Sequence, residues 1–133
     1  MKVKQLSVFL ENKTGRLNDV TKILAKANIN MRAFSVADSS DFGILRMLVD
    51  DTEKAKEELR NNGFAVSVTD IIGIKMANKP GTLNKILDIL AEAKVYIEYM
   101  YAYSDSDKAI TAIKPDDMEK AIKVIEENHI TTL

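Results

Sequence analysis

The sequence predicts an α+β fold made of two tandem units, each running strand, helix, strand, strand, helix, strand. Two observations support this prediction. The second half of the 133-residue chain repeats the first half at a shift of 66 residues, without a gap. Within each half, segments with period-two apolar alternation are separated by segments whose apolar residues recur at helical spacing. The connections are short, so nearly every residue should belong to a packed element.

The repeat is clearest in a segment rich in turn-forming residues. Asn-Lys-Thr-Gly-Arg-Leu-Asn occupies residues 12–18, and Asn-Lys-Pro-Gly-Thr-Leu-Asn occupies residues 78–84. The same offset also matches Ile23-Leu24-Ala25 with Ile89-Leu90-Ala91 and Glu53-Lys54-Ala55 with Glu119-Lys120-Ala121. Because the register holds across both halves, we predict two domains, residues 1–68 and 69–133.

The first copy opens with a strand, a turn and a helix. Leu6, Val8 and Leu10 alternate with their neighbours, which is typical of a half-buried strand. A turn at residues 11–15 follows. At residues 15–28 the apolar positions form one stripe at helical spacing, which predicts an amphipathic helix.

A hairpin, a second helix and a fourth strand complete the first copy. Asp50 and Glu53 form a capping-box-like start for the second helix, and Asn62-Gly63 ends it. We predict strands at residues 31–37, 42–49 and 64–68, with a polar turn at 38–41 between the first two.

The second copy repeats these elements in the same order. They are predicted as a strand at 71–76, a helix at 81–93, strands at 96–103 and 108–114, and a helix at 116–128. This is the ferredoxin-like βαββαβ order, in which right-handed crossovers place both helices on one face of an antiparallel sheet. One copy buries little core alone, so we expect the copies to pack against each other or against another chain.

Composition and charge exclude several classes of function. The chain is 46% hydrophobic and 29% charged with a formal net charge of −1, so nucleic acid is not an expected partner. It has no Cys, which excludes disulfides and thiolate metal sites. No apolar run has the length of a signal peptide or a membrane span. We therefore expect a cytoplasmic protein with no membrane association, no metal and no cofactor.

An aromatic stripe marks one face of the second copy. Tyr99, Tyr101 and Tyr103 alternate along a predicted strand and point away from the helices. Such a face on a small protein favours packing between chains or repeats, with partial solvent exposure and base stacking as alternatives. Asp105 and Asp107 lie beside the stripe and disfavour base stacking, since single-strand binders pair aromatics with a positive groove.

The polar residues form no catalytic constellation. His129 is the only histidine, and it falls at the end of the last helix. The carboxylate pairs at 50–51 and 116–117 precede charged helices, so helix capping is the better interpretation. The serines at 39–40 and Ser104 fall in hairpin turns with no base nearby. The sequence does not predict an enzyme.

The repeated turn between the first strand and the first helix is the best candidate site. Gly15 and Gly81 allow a sharp turn, and the amides that follow are the unpaired donors of a helix N-terminus, which attract a carboxylate. The neighbouring asparagine and lysine add an amide and a charge. The alternative is that the motif is only a capped turn.

A strand, then Asn-Lys-Pro-Gly-x-Leu, then an amphipathic helix ending in Ala-x-Ile-Asn-Met resembles the ACT domain, a small-molecule sensing module. The resemblance covers the chain once per copy. It implies a non-catalytic regulator that binds a free amino acid between the glycine turn of one unit and the second strand of its neighbour. It also implies a homodimer or higher homo-oligomer and an enzyme partner in amino-acid metabolism. The alternative is a ligand-free regulatory or interaction subunit of an enzyme complex.

The resemblance carries the ligand contacts over to matching positions of both copies. These are Asn12, Lys13, Thr14, Gly15, Arg16, Leu17, Asn30 and Met31 in the first copy, and Asn78, Lys79, Pro80, Gly81, Thr82, Leu83, Tyr96 and Ile97 in the second. Tyr96 replaces the family's asparagine, which implies two unequal sites. Leu10 and Met76 stand where serine-binding members place a histidine, which disfavours serine as the ligand.

Overall fold

The computed structural model describes residues 1–38 and 42–133. The predicted turn at 38–41, including the serines at 39–40, therefore lies almost entirely outside the described residues. Within the described part, the elements run β1 (Lys2–Glu11), α1 (Arg16–Lys26), β2 (Met31–Asp38), β3 (Phe42–Val49), α2 (Thr52–Asn61), β4 (Ala65–Ala77), α3 (Thr82–Glu92), β5 (Ile97–Asp105), β6 (Lys108–Pro115) and α4 (Met118–Glu127). The predicted α+β class and element order are confirmed.

The chain forms two compact units, and the first comprises Lys4–Thr69. Its strands are ordered β2-β3-β1-β4, with β3 antiparallel to both β1 and β2. Apolar residues from one face of this sheet and from α1 and α2 form a single core. The largest fully buried side chains of this core are Leu6, Leu24, Leu45, Met47 and Leu59. Both helices therefore cover the same face, as the crossover rule predicts.

The second unit comprises Met1–Val3 and Asp70–Leu133. Its strands are ordered β4-β6-β5, and its core includes buried residues of α3 and α4. The chain end adds one bridge beside β4: the Lys75 N–H donates to the Thr131 carbonyl oxygen at 2.9 Å, and the Leu133 N–H donates to the Gly73 carbonyl oxygen at 3.0 Å. The fourth strand of this unit is therefore much shorter than that of the first.

The strands predicted at 64–68 and 71–76 are one continuous strand, β4. No Gly or Pro interrupts Val68-Thr69-Asp70, and β-branched residues suit extended backbone. The sequence predicts two strands because the polar residues Thr69 and Asp70 interrupt the apolar alternation at the boundary of the repeat. The division into compact units falls inside this strand, between Thr69 and Asp70.

The two units share the same local architecture. Helices α3 and α4 begin and end 66 residues after α1 and α2, and β6 does so relative to β3. Asp51 Oδ1 accepts the Lys54 N–H at 3.1 Å, and Asp117 Oδ1 accepts the Lys120 N–H at 3.1 Å. Helix capping is thus confirmed for the second aspartate of each pair, whereas the capping-box start predicted at Asp50 and Glu53 is wrong because Asp51 is the N-cap.

The tyrosine stripe of β5 lies on the sheet face away from the helices. Tyr101 is opposite Ala112 on β6, while its neighbour Met100 is opposite Ile113 of the helix-side core. Ile110 shares the face of the tyrosines and has 0% exposure. This part of the face is therefore not open to solvent, and its role as an interface stays a prediction.

Among the described residues, no helix has the length and apolar character needed to cross a membrane. The same residues contain no group of three or more histidine or acidic side chains placed to hold a metal ion.

Candidate functional site

The two glycine turns have nearly the same backbone conformation. Gly15 has φ +92° and ψ −10°, and Gly81 has φ +89° and ψ −16°; each is the N-cap of the helix that follows. An ideal Cβ built on either glycine meets no atom within 4 Å. Glycine is therefore required here by its left-handed conformation and not by lack of space.

The helix N-termini behind these glycines have no side-chain cap in the described structure. The turn bonds are backbone to backbone: Lys13 N–H donates to the Glu11 carbonyl oxygen at 2.8 Å, and Lys79 N–H donates to the Ala77 carbonyl oxygen at 3.0 Å. Arg16 and Thr82 also donate their N–H groups to the carbonyl oxygens of Lys13 and Lys79, at 3.5 and 3.4 Å. The next amides, those of Leu17 and Asn18 in α1 and of Leu83 and Asn84 in α3, remain for water or a ligand. These helices differ from α2 and α4, whose aspartates cap them.

The predicted turn residues form an open surface. Asn12, Lys13, Thr14, Asn78, Lys79 and Pro80 are all exposed. The leucine that follows each turn is exposed as well, at 42% for Leu17 and 39% for Leu83. Each turn thus presents helix amides next to an apolar side chain, which suits a small molecule with a carboxylate and an apolar part.

The first aspartate of each pair holds the residue that precedes β2 or β5. Asp50 Oδ1 accepts the Asn30 N–H at 3.0 Å, and the Asp50 N–H donates to the Asn30 carbonyl oxygen at 3.2 Å. Asp116 makes the same pair of bonds with Tyr96, at 3.1 and 2.9 Å. Asn30 and Tyr96 are therefore fixed in the backbone while their side chains stay exposed.

Within one unit, the turn and the start of the second strand lie at opposite ends of the sheet. Glu11, next to the turn, pairs with Phe42 at one end of β3, whereas Met31 pairs with Val49 at the other end. Seven residue steps along β3 separate the ends by roughly 23 Å. The same separation holds for the second unit, where Ile97 pairs with Pro115. No single unit brings all its predicted ligand contacts together.

Arg16 does not point toward the turn amides. Its guanidinium carbon lies 4.3 Å from the centre of the Phe64 ring, and its Nη1 lies 3.4 Å from Asp19 Oδ2. It borders a cavity of about 270 Å³ lined by Arg16, Asp19, Lys22, Ile23, Asn62 and Phe64. We call this the Arg16 cavity. Sequence reasoning missed its other residues because Phe64 is far from Arg16 along the chain and no motif links them.

A second cavity of about 270 Å³ lies in the second unit at the strand end that precedes Asn78. Its polar lining includes Lys75 and Lys108. The equivalent positions of the first unit are Phe9 and Phe42, whose rings pack edge to face with centres 5.9 Å apart. The two units therefore differ in chemistry close to their turns.

The chain matches the family description "ACT domain pair" over residues 1–133. A solved protein from Bacteroides thetaiotaomicron is 48% identical, with 100% of this chain and 92% of that chain covered and a TM-score of 0.95. The regulatory subunits of aspartate kinase from Thermus thermophilus and Thermus flavus are each 17% identical. The Thermus thermophilus comparison covers 93% of this chain and 91% of that chain with a TM-score of 0.66. The Thermus flavus comparison covers 95% and 92% with a TM-score of 0.62, so both proteins share the fold. No curated protein matches. The chain belongs to the ACT domain pair family.

Proposed function

We propose that this protein is a non-catalytic sensor that binds a free amino acid between ACT units and regulates an enzyme of amino-acid metabolism. The observation that carries the proposal is the pair of uncapped helix N-termini behind Gly15 and Gly81. A helix N-terminus favours an anion, and a free carboxylate is the anion every amino acid supplies. The motif occurs in both units, so each unit contributes one candidate half-site.

The ligand has to be enclosed by more than the turn. A carboxylate at a helix N-terminus gains roughly 0.3 to 2 kcal/mol, whereas micromolar affinity requires about 8 kcal/mol. Because the turn and the start of the second strand are separated within a unit, a complete site needs two units. We propose that Asn30 and Met31, or Tyr96 and Ile97, supply the second wall from a neighbouring unit of this chain or of a second copy.

Homo-oligomer formation is part of the proposal. In the first unit β2 is an edge strand, and it exposes Phe34 to 63% and Val36 to 49%. An edge strand with exposed apolar side chains is suited to pairing with another strand. A second copy would provide such a strand and complete a site at the same time.

The partner enzyme is proposed from fold relatives. The Thermus thermophilus protein is a regulatory subunit of aspartate kinase, and we propose by analogy that the present chain acts on a separate catalytic partner in the cytoplasm. A ligand that bridges two units can shift a partner's equilibrium by about 1 to 3 kcal/mol, which is enough for feedback control. The ligand-free interaction subunit remains the second candidate, favoured by the exposed side chains of β2.

A thermal-shift screen against the twenty amino acids at millimolar concentration tests the proposal. A ligand present at one hundred times its Kd adds about 2.7 kcal/mol to stability, which raises the melting temperature by several degrees. We expect a rise with one amino acid or a few related ones. A flat response to all twenty would reject the sensor and favour the ligand-free interaction subunit.

A further inference from the structure

The Arg16 cavity lies in the first unit, where α1 faces the segment that joins α2 to β4. Its volume of about 270 Å³ is just below the range of about 300 to 1,000 Å³ that holds drug-sized ligands. It is therefore suited to a smaller molecule. Phe64 is buried and forms an apolar wall, while Arg16 and Lys22 supply positive charge.

Arg16, which lines this cavity, has a buried hydrogen-bond donor that is unsatisfied. Its Nε is buried and has no partner, although buried charged donors are normally paired. Its Nη1 is engaged by Asp19 at 3.4 Å, at the long limit of a hydrogen bond. The edge formed by Nε and Nη2 is the one that binds carboxylates with two parallel bonds, and it has no partner among the described residues.

The remaining polar groups of the cavity favour an anion. Arg16 and Lys22 are cationic and Asp19 is anionic, so the lining carries an excess of one positive charge. Lys22 makes no ion pair with any described residue. Asn62 donates its Nδ2 to the Glu58 carbonyl oxygen at 2.8 Å, which leaves its Oδ1 to accept from a hydroxyl or ammonium group.

The fold itself does not require this constellation. The second unit has the same helices and turns, yet Thr82 and Ile130 replace the stacked arginine and phenylalanine. Lys85 stands at the position of Asp19, and Asp88 at the position of Lys22, so both helix charges are opposite in sign in the second unit. A stacked arginine with a buried, unpaired donor is therefore specific to the first unit.

We propose that the Arg16 cavity is a separate binding site for a small carboxylate, held by the Nε edge of Arg16 and by Lys22. Because Nε is buried, the guanidinium has to turn toward the cavity for a carboxylate to reach this edge. The Asp19 contact is long and half exposed, so releasing it costs little. Phe64 keeps its position beneath the guanidinium and limits the direction of this turn.

Nuclear magnetic resonance of the full ¹⁵N-labelled chain tests this site. The sequence has four arginines, so the Arg16 Nε–H signal can be assigned by its loss in Arg16→Gln. We expect sodium propionate to shift this signal saturably, while sodium chloride at equal ionic strength leaves it unchanged. In Arg16→Gln and Lys22→Gln, propionate binding is measured from the signals of backbone amides that line the cavity. Each substitution should weaken propionate binding about tenfold. Lys26→Gln removes a charge from the same helix outside the cavity and should leave the affinity unchanged.

Several outcomes would overturn the proposal. They are the absence of a propionate-induced shift, an equal response to chloride, a response to sodium phosphate alone, and an unchanged affinity in Lys22→Gln. If Arg16→Gln fails to fold, Lys22→Gln and the wild-type Nε–H titration still decide the question. The amino-acid site proposed above depends on Gly15 and Gly81, whereas this site depends on Arg16 and Lys22. Either proposal can therefore fail while the other stands.

Discussion

Replacing Gly15 by alanine separates the effect of the first glycine turn on stability from its proposed effect on ligand binding. Gly15 has φ +92°, a conformation that costs an L-residue about 1 to 2 kcal/mol, and a Cβ there meets no atom within 4 Å. The loss of stability in Gly15→Ala should thus come from backbone conformation alone, at about 1 kcal/mol. Any larger effect on ligand binding would reflect displaced helix amides.

Gly63→Ala is the matched control for this experiment. Gly63 follows α2, has φ +85°, and also has no atom within 4 Å of an added Cβ. Equilibrium urea unfolding should show similar stability losses for both variants, with unchanged m-values. Isothermal titration with the amino acid found in the screen should show weaker binding for Gly15→Ala only. Equal affinities in the two variants would refute the role of the first turn in binding.

Three further substitutions test the local structure by urea unfolding. His129→Gly should stabilise the chain by about 0.5 to 1 kcal/mol, because His129 has φ +54° at the position where the first unit has Gly63. A gain of the same size in His129→Ala would contradict this reason. Asp51→Ala should cost about 1 kcal/mol through loss of the bond from the Lys54 N–H, and Asp51→Asn should retain most of it. Gly73→Ala should be destabilising, since an added Cβ would lie 2.6 Å from Leu133 Cδ1. This loss of stability should largely disappear when Leu133 is also replaced by alanine. An unchanged stability in Gly73→Ala would count against the contact.

The sequence was sufficient to predict the elements and the turns because each depends on nearby residues. Glycine before helical apolar spacing predicts the sharp turn at Gly15, and an aspartate pair before a charged helix predicts capping, which Asp51 provides and Asp50 does not. Both copies carry these signals in the same register, so the structure repeats them. The internal repeat therefore made the prediction of the fold stronger than either half would have allowed.

The features that the sequence did not predict depend on contacts between distant positions. The stacking of Arg16 on Phe64 joins α1 to the start of β4, and the bonds between Asp50 and Asn30 join α2 to β2. Neither pair forms a recognisable motif. The separation of the turn from the start of the second strand is a consequence of β2 running parallel to β1, which follows from the observed pairing. It makes a second unit necessary for the proposed site.

In the proposed function, an amino-acid carboxylate binds the free amides behind the glycine turns. The most direct measurement is the change in backbone amide signals of the ¹⁵N-labelled chain when the amino acid found in the screen is added. We expect the largest shifts at the first-turn amides of Leu17 and Asn18, at those of Leu83 and Asn84, or at both pairs, with smaller shifts at Asn30 or Tyr96. Saturable binding that leaves all four first-turn amides unshifted would contradict the account.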